Sequence, residues 1–413
     1  MGTLLRRFWI PVLLTEELPE PDGEPVAVRI MGEDLVAYKD TNGKVGLLDG
    51  YCAHRHAHLY WSRNEECGLR CTYHGWKYDT EGNCIDMPNE PAESNFKDKI
   101  KINSYPTREW GGAIWAYMGP PELMPPELPQ FEWARVADNQ RIITKRLQES
   151  NWAQAVEGGI DSSHISFLHG GKPPAIANLP ENQTVSTRDT SPRFWISHRD
   201  FGFAAAARRN APEEQYYWRI TPYLAPWYTI IPGGAAENRS LSGHAWVPID
   251  DTHVFTFTMT WNPSRPITDE ERETHLKGFG VHTEVDKVMP RWELKISNGY
   301  TPIRNMSNNY MVDFEERRLR TFTGIKGISE QDMSIQESMW PMVPRWKEHL
   351  GTTDKAIIEF RKLVMGMARD LLEGKEPEFP HTPDAYRVRS AAVTIGRDIA
   401  WEEGSAEVMK ARV

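Results

Sequence analysis

Two stretches of this sequence carry residue types whose spacing could do metal chemistry. In the first, Cys52-Ala53-His54-Arg55 is followed by Cys71-Thr72-Tyr73-His74-Gly75-Trp76. Each half supplies one thiolate and one imidazole on a tight loop, which is the ligand set of a [2Fe-2S] cluster with one Cys₂ iron and one His₂ iron. Replacing two thiolates by neutral imidazoles lowers the negative charge and raises the reduction potential, which suits an electron relay. A Cys₂His₂ zinc site is the competing reading. The Cys-x-His half is too tight for the usual finger spacing, and no nearby helix offers a His-x₃₋₅-His pair. Cys67 and Cys84 fit neither half and read as small buried or loop residues. His56 and His58 read as residues that flank the cluster or face solvent.

The second stretch runs from Asn151-Trp152 through Asp161-Ser162-Ser163-His164 to His169. On a helix, Asp161 and His164 would share one face. His169 falls off that face, so the backbone must bend or leave the helix to aim both imidazoles at one point. Two imidazoles with a remote carboxylate make the facial triad of a non-haem Fe(II) site, which leaves coordination positions open for oxygen.

The elements that must position these groups come in two blocks. Val26, Val28 and Ile30 alternate with Ala27 and Arg29, Leu35–Lys39 makes a second short strand, and Asp40-Thr41-Asn42-Gly43 reads as a hairpin turn into Val45–Leu48. The proline-rich stretch from Pro120 to Pro129 reads as an extended linker, with a domain boundary near residue 135. Beyond it, Gln215–Thr221 and Tyr228–Ile231 read as strands. In His253–Trp261, Phe255, Phe257, Met259 and Trp261 alternate with Thr256, Thr258 and Thr260. One apolar and one polar face suit an antiparallel sheet covered on one side by helices. A helix beginning at Thr353 carries Ile357, Phe360, Val364, Met367 and Leu371 on one stripe and stops at Gly374.

Composition narrows the classes. With 413 residues, 39% hydrophobic and 26% charged, the chain can build two domains with sizeable cores. No apolar run approaches the roughly 20 residues a membrane helix needs. The N-terminus shows no signal-peptide core, and Arg6 stands where a myristoylation motif wants Ser or Thr. A net charge of −10 with dispersed lysines and arginines argues against a nucleic-acid surface. Four clustered cysteines without a secretion signal point to metal rather than disulfides, and to a cytoplasmic address. The chain has neither a Gly-x-Gly-x-x-Gly fingerprint nor a second cysteine set, so oxidation of NAD(P)H is expected to fall to a separate partner.

Cys52-x-His54 with Cys71-x₂-His74-Gly75-Trp76 resembles the Rieske domain of ring-hydroxylating oxygenases. Asn151-Trp152 followed by Asp161-x₂-His164-x₄-His169 resembles the catalytic-domain motif of the same family. With Met87-Pro88-Asn89-Glu90-Pro91 and Trp115-Ala116-Tyr117-Met118-Gly119-Pro120, the whole chain most resembles the phthalate dioxygenase branch, whose large oxygenase components are built from α subunits only. The expected architecture is α+β. An N-terminal Rieske [2Fe-2S] β domain over residues 1–135 precedes a helix-on-antiparallel-sheet catalytic domain over residues 136–413.

By this resemblance Cys52, His54, Cys71 and His74 hold the cluster, and His164 and His169 hold a mononuclear Fe(II). The third iron ligand falls in Gly327–Ser334, where Asp332 is chosen over Glu330 and, just beyond, Glu337. Asp161 is expected to bridge His164 to the cluster histidine His74 of a neighbouring subunit, in a trimer or two stacked trimers. A flavin- and ferredoxin-type reductase would pass on electrons from NAD(P)H, with O₂ as cosubstrate.

The expected reaction is hydroxylation of an aromatic, carboxylated substrate by dioxygenation or monooxygenation. The alternative is oxidative O-demethylation of a methoxylated lignin-derived acid. Arg208, Arg209 and Arg219 are candidate partners for a carboxylate. A Rieske electron-transfer protein without oxygenase activity is the reading from another class, and it has no use for a second open iron site. One departure from the family is His56, which stands where a glycine is usual after Cys-x-His-Arg. A backbone with φ > 0 there would be strained, which leaves the cluster's potential open.

Overall fold

The computed structural model describes residues 1–91, 93–171, 185–186, 188–233 and 239–413. Short antiparallel strands build the first block. β1 (Trp9–Leu14) is followed by β2 (Val26–Ile30), β3 (Glu33–Lys39) and β4 (Val45–Asp49). Next come β5 (Arg63–Glu65), β6 (Gly68–Arg70), β7 (Lys77–Tyr78), β8 (Cys84–Asp86), β9 (Thr107–Trp110) and β10 (Ala113–Tyr117). They pair as three sheets of order β1-β10-β9, β2-β3-β4 and β5-β6-β7-β8. The β3–β4 hairpin turns where the sequence places it, because the Asp40 carboxylate accepts the backbone N–H groups of Asn42 and Lys44. Two loops, Tyr51–His58 before β5 and Cys71–Trp76 before β7, carry Cys52 and Cys71 into a small apolar core with Tyr38, Leu48, Leu69 and Tyr78.

The second block is one large antiparallel sheet. Its strands are β11 (Arg141–Gln148), β12 (Arg193–Arg199), β13 (Gly202–Ala211), β14 (Gln215–Leu224), β15 (Tyr228–Ile231), β16 (Leu241–Pro248), β17 (Val254–Trp261) and β18 (Ala391–Gly396). They run in the order β11-β17-β16-β15-β14-β13-β12, with β18 on β14. Three helices matter for the site: α1 (Trp152–Ile160), α2 (Ile328–Ser338) and α3 (Lys355–Leu372). In α3, Phe360, Val364 and Met367 are buried, and Gly374 just beyond its end takes φ +82°. No helix among the described residues is long and apolar enough to cross a membrane.

The sheet is covered on both faces, which the alternation in β17 does not reveal. Its apolar face meets β1 and the helical turn Glu132–Arg135, where Trp261 Nε1 donates to Glu132 Oε2 at 2.9 Å. A buried ion pair crosses the same face. Glu17, just after β1, meets Lys145 of β11, whose Nζ lies 4.4 Å from both the Phe255 and Tyr300 rings. The opposite face carries Thr256, Thr258 and Thr260, each at most 1% exposed. That face lies under α1 and α2, so its polarity serves an interior site rather than solvent. α1 approaches closely because Gly158 and Gly159 have no side chain. A Cβ on Gly158 would stand 2.2 Å from Gln336 Nε2 of α2, and one on Gly159 2.2 Å from the Trp246 ring of β16.

Candidate functional site

The two cysteine–histidine loops are built alike. Cys52 N–H donates to Ala57 O and Cys71 N–H to Trp76 O, at 2.9 and 2.8 Å. His56 N–H and Gly75 N–H then turn back to the carbonyls of Cys52 and Cys71, both at 2.9 Å. This fold puts the fourth residue after each cysteine in the left-handed region, Gly75 at φ +83° and His56 at φ +59°. Glycine is required in the second loop, since a Cβ on Gly75 would meet Pro88 Cγ at 2.5 Å. In the first loop the strain expected for His56 is present, and its ring turns out to stack on Tyr51 at 4.2 Å between centroids.

His54 and His74 face each other nearly edge-on, their centroids 4.4 Å apart, and His54 stacks on Trp76 at 4.5 Å. The nearness of the Cys52 and Cys71 thiols draws Cys52 below the usual thiol range and, with burial, raises Cys71. Tyr78 Oη lies 3.3 Å from Cys52 Sγ. His54 Nδ1 is buried without a hydrogen-bond partner. Two thiols, two imidazoles and an unsatisfied ring nitrogen are a donor set that fits a Cys₂His₂ iron–sulfur cluster. Cys67 and Cys84 lie outside both loops. Cys84 is buried, and Cys67 Sγ accepts from Asn42 Nδ2.

The second site forms where α1 ends. The sequence places Asp161 and His164 on one helical face, but α1 stops at Ile160, and His164 begins a separate helical turn, His164–Ser166. The cause is Asp161 itself. Its carboxylate accepts Ser163 N–H at 2.6 Å and His164 N–H at 3.3 Å, offering the backbone an alternative to continued helix. The same carboxylate lies 3.5 Å from His164 Nδ1. One side chain therefore both caps the turn and faces the imidazole.

His164 Nε2 and His169 Nε2 approach to 3.2 Å, and Asp332 Oδ1 of α2 lies 3.6 and 3.2 Å from them. Among the described residues these three form the one group of His, Cys, Asp or Glu side chains able to hold a single metal ion. Two imidazole nitrogens and one carboxylate oxygen fit the facial triad of a non-haem iron and leave its other side open. Burial works against a charged Asp332, yet the hydrogen bond from His169 and the imidazoles beside it hold its carboxyl below the usual carboxylate range. Burial likewise works against a charged His164, but Asp161 and Asp332 outweigh it and raise its pKa. Glu330 is fully buried 3.6 Å from Arg304 Nη1, and burial pushes it up to about 7. Glu337 accepts from Tyr310 Oη and from Glu149 N–H. Neither glutamate joins the three-atom group.

The Rieske [2Fe-2S] domain family matches residues 8–106, and the family described as "LigXa C-terminal domain like" matches residues 116–411. The phthalate 4,5-dioxygenase oxygenase subunit of Pseudomonas putida is 38% identical, over 98% of this chain and 90% of its own length. This chain belongs to the Rieske oxygenase α subunits. A 3-chlorobenzoate-3,4-dioxygenase oxygenase subunit from Comamonas testosteroni is 33% identical over 97% of this chain and 93% of its own. A 5,5'-dehydrodivanillate O-demethylase oxygenase subunit from Sphingobium is 30% identical over 100% of this chain and 87% of its own. The fold is similar to that of the Pseudomonas putida CBB5 NdmA QL mutant with caffeine, at a TM-score of 0.62 and 18% identity over 96% of this chain and 98% of that one. It is also similar to the oxygenase in an oxygenase–ferredoxin complex of carbazole 1,9a-dioxygenase, at a TM-score of 0.56 and 20% identity over 88% and 90% of the two chains. As a Rieske oxygenase, the protein is an oxidoreductase that uses a Rieske [2Fe-2S] cluster, a mononuclear iron and O₂.

A cavity of about 700 Å³ opens beside the triad of this oxygenase. His164, His169 and Asp332 border it, and their side chains keep 22%, 16% and 24% exposure toward it. Of the three arginines singled out in the sequence, Arg219 alone lines the cavity, and its Nε is buried without a partner. Arg208 and Arg209 do not border it. Arg208 packs over the Trp195 and Tyr216 rings, 5.0 and 4.0 Å from their centroids. Arg209 is buried, donating to Ser162 O at 2.5 Å and to Asp189 O at 3.0 Å, so it braces the turn after Asp161.

Four residues of the cavity region escaped sequence reasoning. Arg146 donates to Thr258 Oγ1 beneath Asp332, and burial pushes its guanidinium down to about 10. His244 lines the cavity and burial drives its pKa down to about 3, so it stays neutral. His282 is held between the Thr144 and Thr260 hydroxyls at 2.8 and 2.9 Å. Gln331 Oε1 lies 2.7 Å from His169 Nδ1. The threonine face of β17 was the sequence signal for this polar interior. Nothing local marked Gln331 beyond its place next to Asp332.

Proposed function

We propose that His164, His169 and Asp332 hold the mononuclear iron, that Cys52, His54, Cys71 and His74 hold the cluster, and that the substrate is an aromatic carboxylate. The observation that supports this reading best is the convergence of three ligand atoms on the wall of a cavity that also presents the unpartnered Nε of Arg219. When bound, the iron binds and activates O₂, and the cluster supplies electrons one at a time. The protein's own contribution is position and charge. Arg219 pairs with the substrate carboxylate. Ile165, Ile231, Leu241 and Trp246 border the cavity and shelter the ring from water. Asp332 balances cationic charge while the two imidazoles stay neutral, and Asp161 fixes the orientation of His164.

Electrons come from NAD(P)H through a separate flavin- and ferredoxin-type reductase. The working unit is a homotrimer or a pair of stacked trimers in the cytoplasm, in which Asp161 meets the cluster histidine of a neighbouring subunit. Domains divide near residue 135. Oxidative O-demethylation of a methoxylated acid is a second reading, favoured by the likeness to the dehydrodivanillate demethylase subunit.

Oxygen uptake and product analysis with isotopically labelled O₂ across a panel of aromatic acids, using a surrogate reductase, test the proposal. Free acids should turn over while their methyl esters do not. Both labelled atoms in the product mean dioxygenation, one atom without formaldehyde means ring monooxygenation, and released formaldehyde means demethylation. Asp332→Ala should lose the mononuclear iron and turnover but keep the cluster's visible spectrum. Unchanged iron content in that variant, or reduction of a partner protein without oxygen uptake on any acid, would overturn the assignment.

A further inference from the structure

We propose that Gln331 is a positioning residue that fixes the tautomer and ring orientation of His169; this rests on His169 being an iron ligand. The argument starts from hydrogen-bond polarity. Gln331 Nε2 lies 2.9 Å from the carbonyl oxygen of Ile325, which can only accept. The amide nitrogen is therefore committed to Ile325, and the amide oxygen is the end that meets His169 Nδ1 at 2.7 Å. An amide oxygen can only accept, so Nδ1 carries the proton. In a neutral imidazole the other nitrogen then holds the lone pair. That nitrogen, Nε2, lies 3.2 Å from Asp332 Oδ1 and from His164 Nε2. The Gln331 amide thus turns the lone pair of His169 toward the metal position.

The backbone makes this arrangement self-consistent. Gln331 and Asp332 are neighbours in the first half of α2, so one helix supplies both a ligand and the anchor of a second ligand. α2 is held against the sheet from further along its length. Gln148 Nε2 of β11 donates to Gln336 Oε1 at 2.6 Å, and Gln154 Nε2 of α1 donates to Gln336 O at 3.0 Å. Metal-bound histidines usually give their free N–H to a carboxylate, a carbonyl or water. In this site the two imidazoles are held differently, His164 facing the Asp161 carboxylate and His169 a neutral amide.

The test is Co(II) binding, by calorimetry and by visible ligand-field bands, to protein stripped of mononuclear iron but retaining its cluster. Gln331→Met keeps the length and removes both hydrogen bonds. Gln331→Glu keeps an acceptor for His169 Nδ1 but cannot donate to Ile325. The proposal expects Met to weaken Co(II) binding by about 10–100-fold and Glu to restore it to within a few-fold of the native protein. It also expects the ligand-field bands to shift with Glu, as a charged acceptor strengthens imidazole donation. Equal loss in both variants means that Gln331 only ties Ile325 to α2, and overturns the proposal. So does native affinity in Gln331→Met. His169→Ala separates the underlying reading, because native Co(II) affinity there would remove His169 as a ligand altogether. An unchanged cluster spectrum and circular dichroism certify that each variant is folded.

Discussion

Arg219, Arg209 and Arg208 lie on the adjacent strands β13 and β14, and the period of two along a strand divides their tasks. The register pairs Arg219 with Ala207 and Arg209 with Tyr217, which puts both arginines on the face toward the cavity. Arg208 pairs with Trp218 on the opposite face and packs among aromatic rings there. Between the two that share a face, hydrogen bonding decides. Arg209 spends its donors on Ser162 and Asp189 carbonyls, whereas Arg219 keeps Nε unpartnered at the cavity wall. Arg219→Gln should therefore raise KM for a carboxylate substrate by about 10–100-fold, the loss expected for a charge-assisted pair of roughly 1.5–3 kcal/mol. Neutral amide analogues of the same acids should show almost no difference between the two proteins in steady-state kinetics. An equal loss on acids and amides would mean that Arg219 shapes the cavity without touching the carboxylate.

Among the elements, β11 helps to join the two halves of the molecule. Its odd face presents Lys145 to Glu17 of the N-terminal block, and its even face presents Thr144, Arg146 and Gln148 to the cavity side. Lys145 is fully buried, and burial lowers its pKa against the pull of Glu17. An ion pair so placed gives little net stability, but removing one partner strands the other charge. Glu17→Ala should destabilise the protein by about 3–5 kcal/mol in denaturant unfolding. Glu17→Met combined with Lys145→Met should recover most of that loss. If Glu17→Ala costs no more than the double variant, the pair does not act as a buried charge couple.

At the scale of the whole molecule, the cluster loops look outward. Tyr73 and Trp61 beside them are 55% and 63% exposed, a surface that a further chain could cover. His74 stands at this surface, while Asp161 borders the cavity that His164, His169 and Asp332 line. The proposed trimer makes Asp161 the link between a cluster and a neighbouring iron. Asp161→Asn should then leave both metals bound and the oligomer intact, while single-turnover oxidation of the pre-reduced cluster slows by orders of magnitude. The carboxylate also accepts Ser163 N–H on Oδ1 and His164 N–H on Oδ2, and asparagine can still accept the shorter bond, from Ser163, through its amide oxygen. A near-normal rate in that variant, or an active monomeric wild type in light scattering, would defeat the inter-subunit link.

The sequence by itself determined what local spacing controls. Cysteine–histidine pairs on tight loops, the β3–β4 hairpin, the strands β14, β15 and β17 and the stripe of α3 all depend on residues a few positions apart. The left-handed backbone at His56 was legible only through the family resemblance, in which a glycine is usual at that position. What depended on distance in the chain was not legible. Helical spacing alone ran α1 through Asp161, because the competing side-chain hydrogen bonds of that residue are invisible in a periodicity. Three acidic residues crowd one helix, and only the rotation of α2 against β11 and α1 brings Asp332 to the histidines while burying Glu330 elsewhere and turning Glu337 to Tyr310. Gln331 meets a histidine 162 residues away. The polar side of β17 was visible as an alternation, but whether it faces water or an interior cavity is settled by the helices laid across it. Local patterns follow from backbone periods of two and 3.6 residues, whereas a site's membership follows from packing between elements that the chain brings together only when folded.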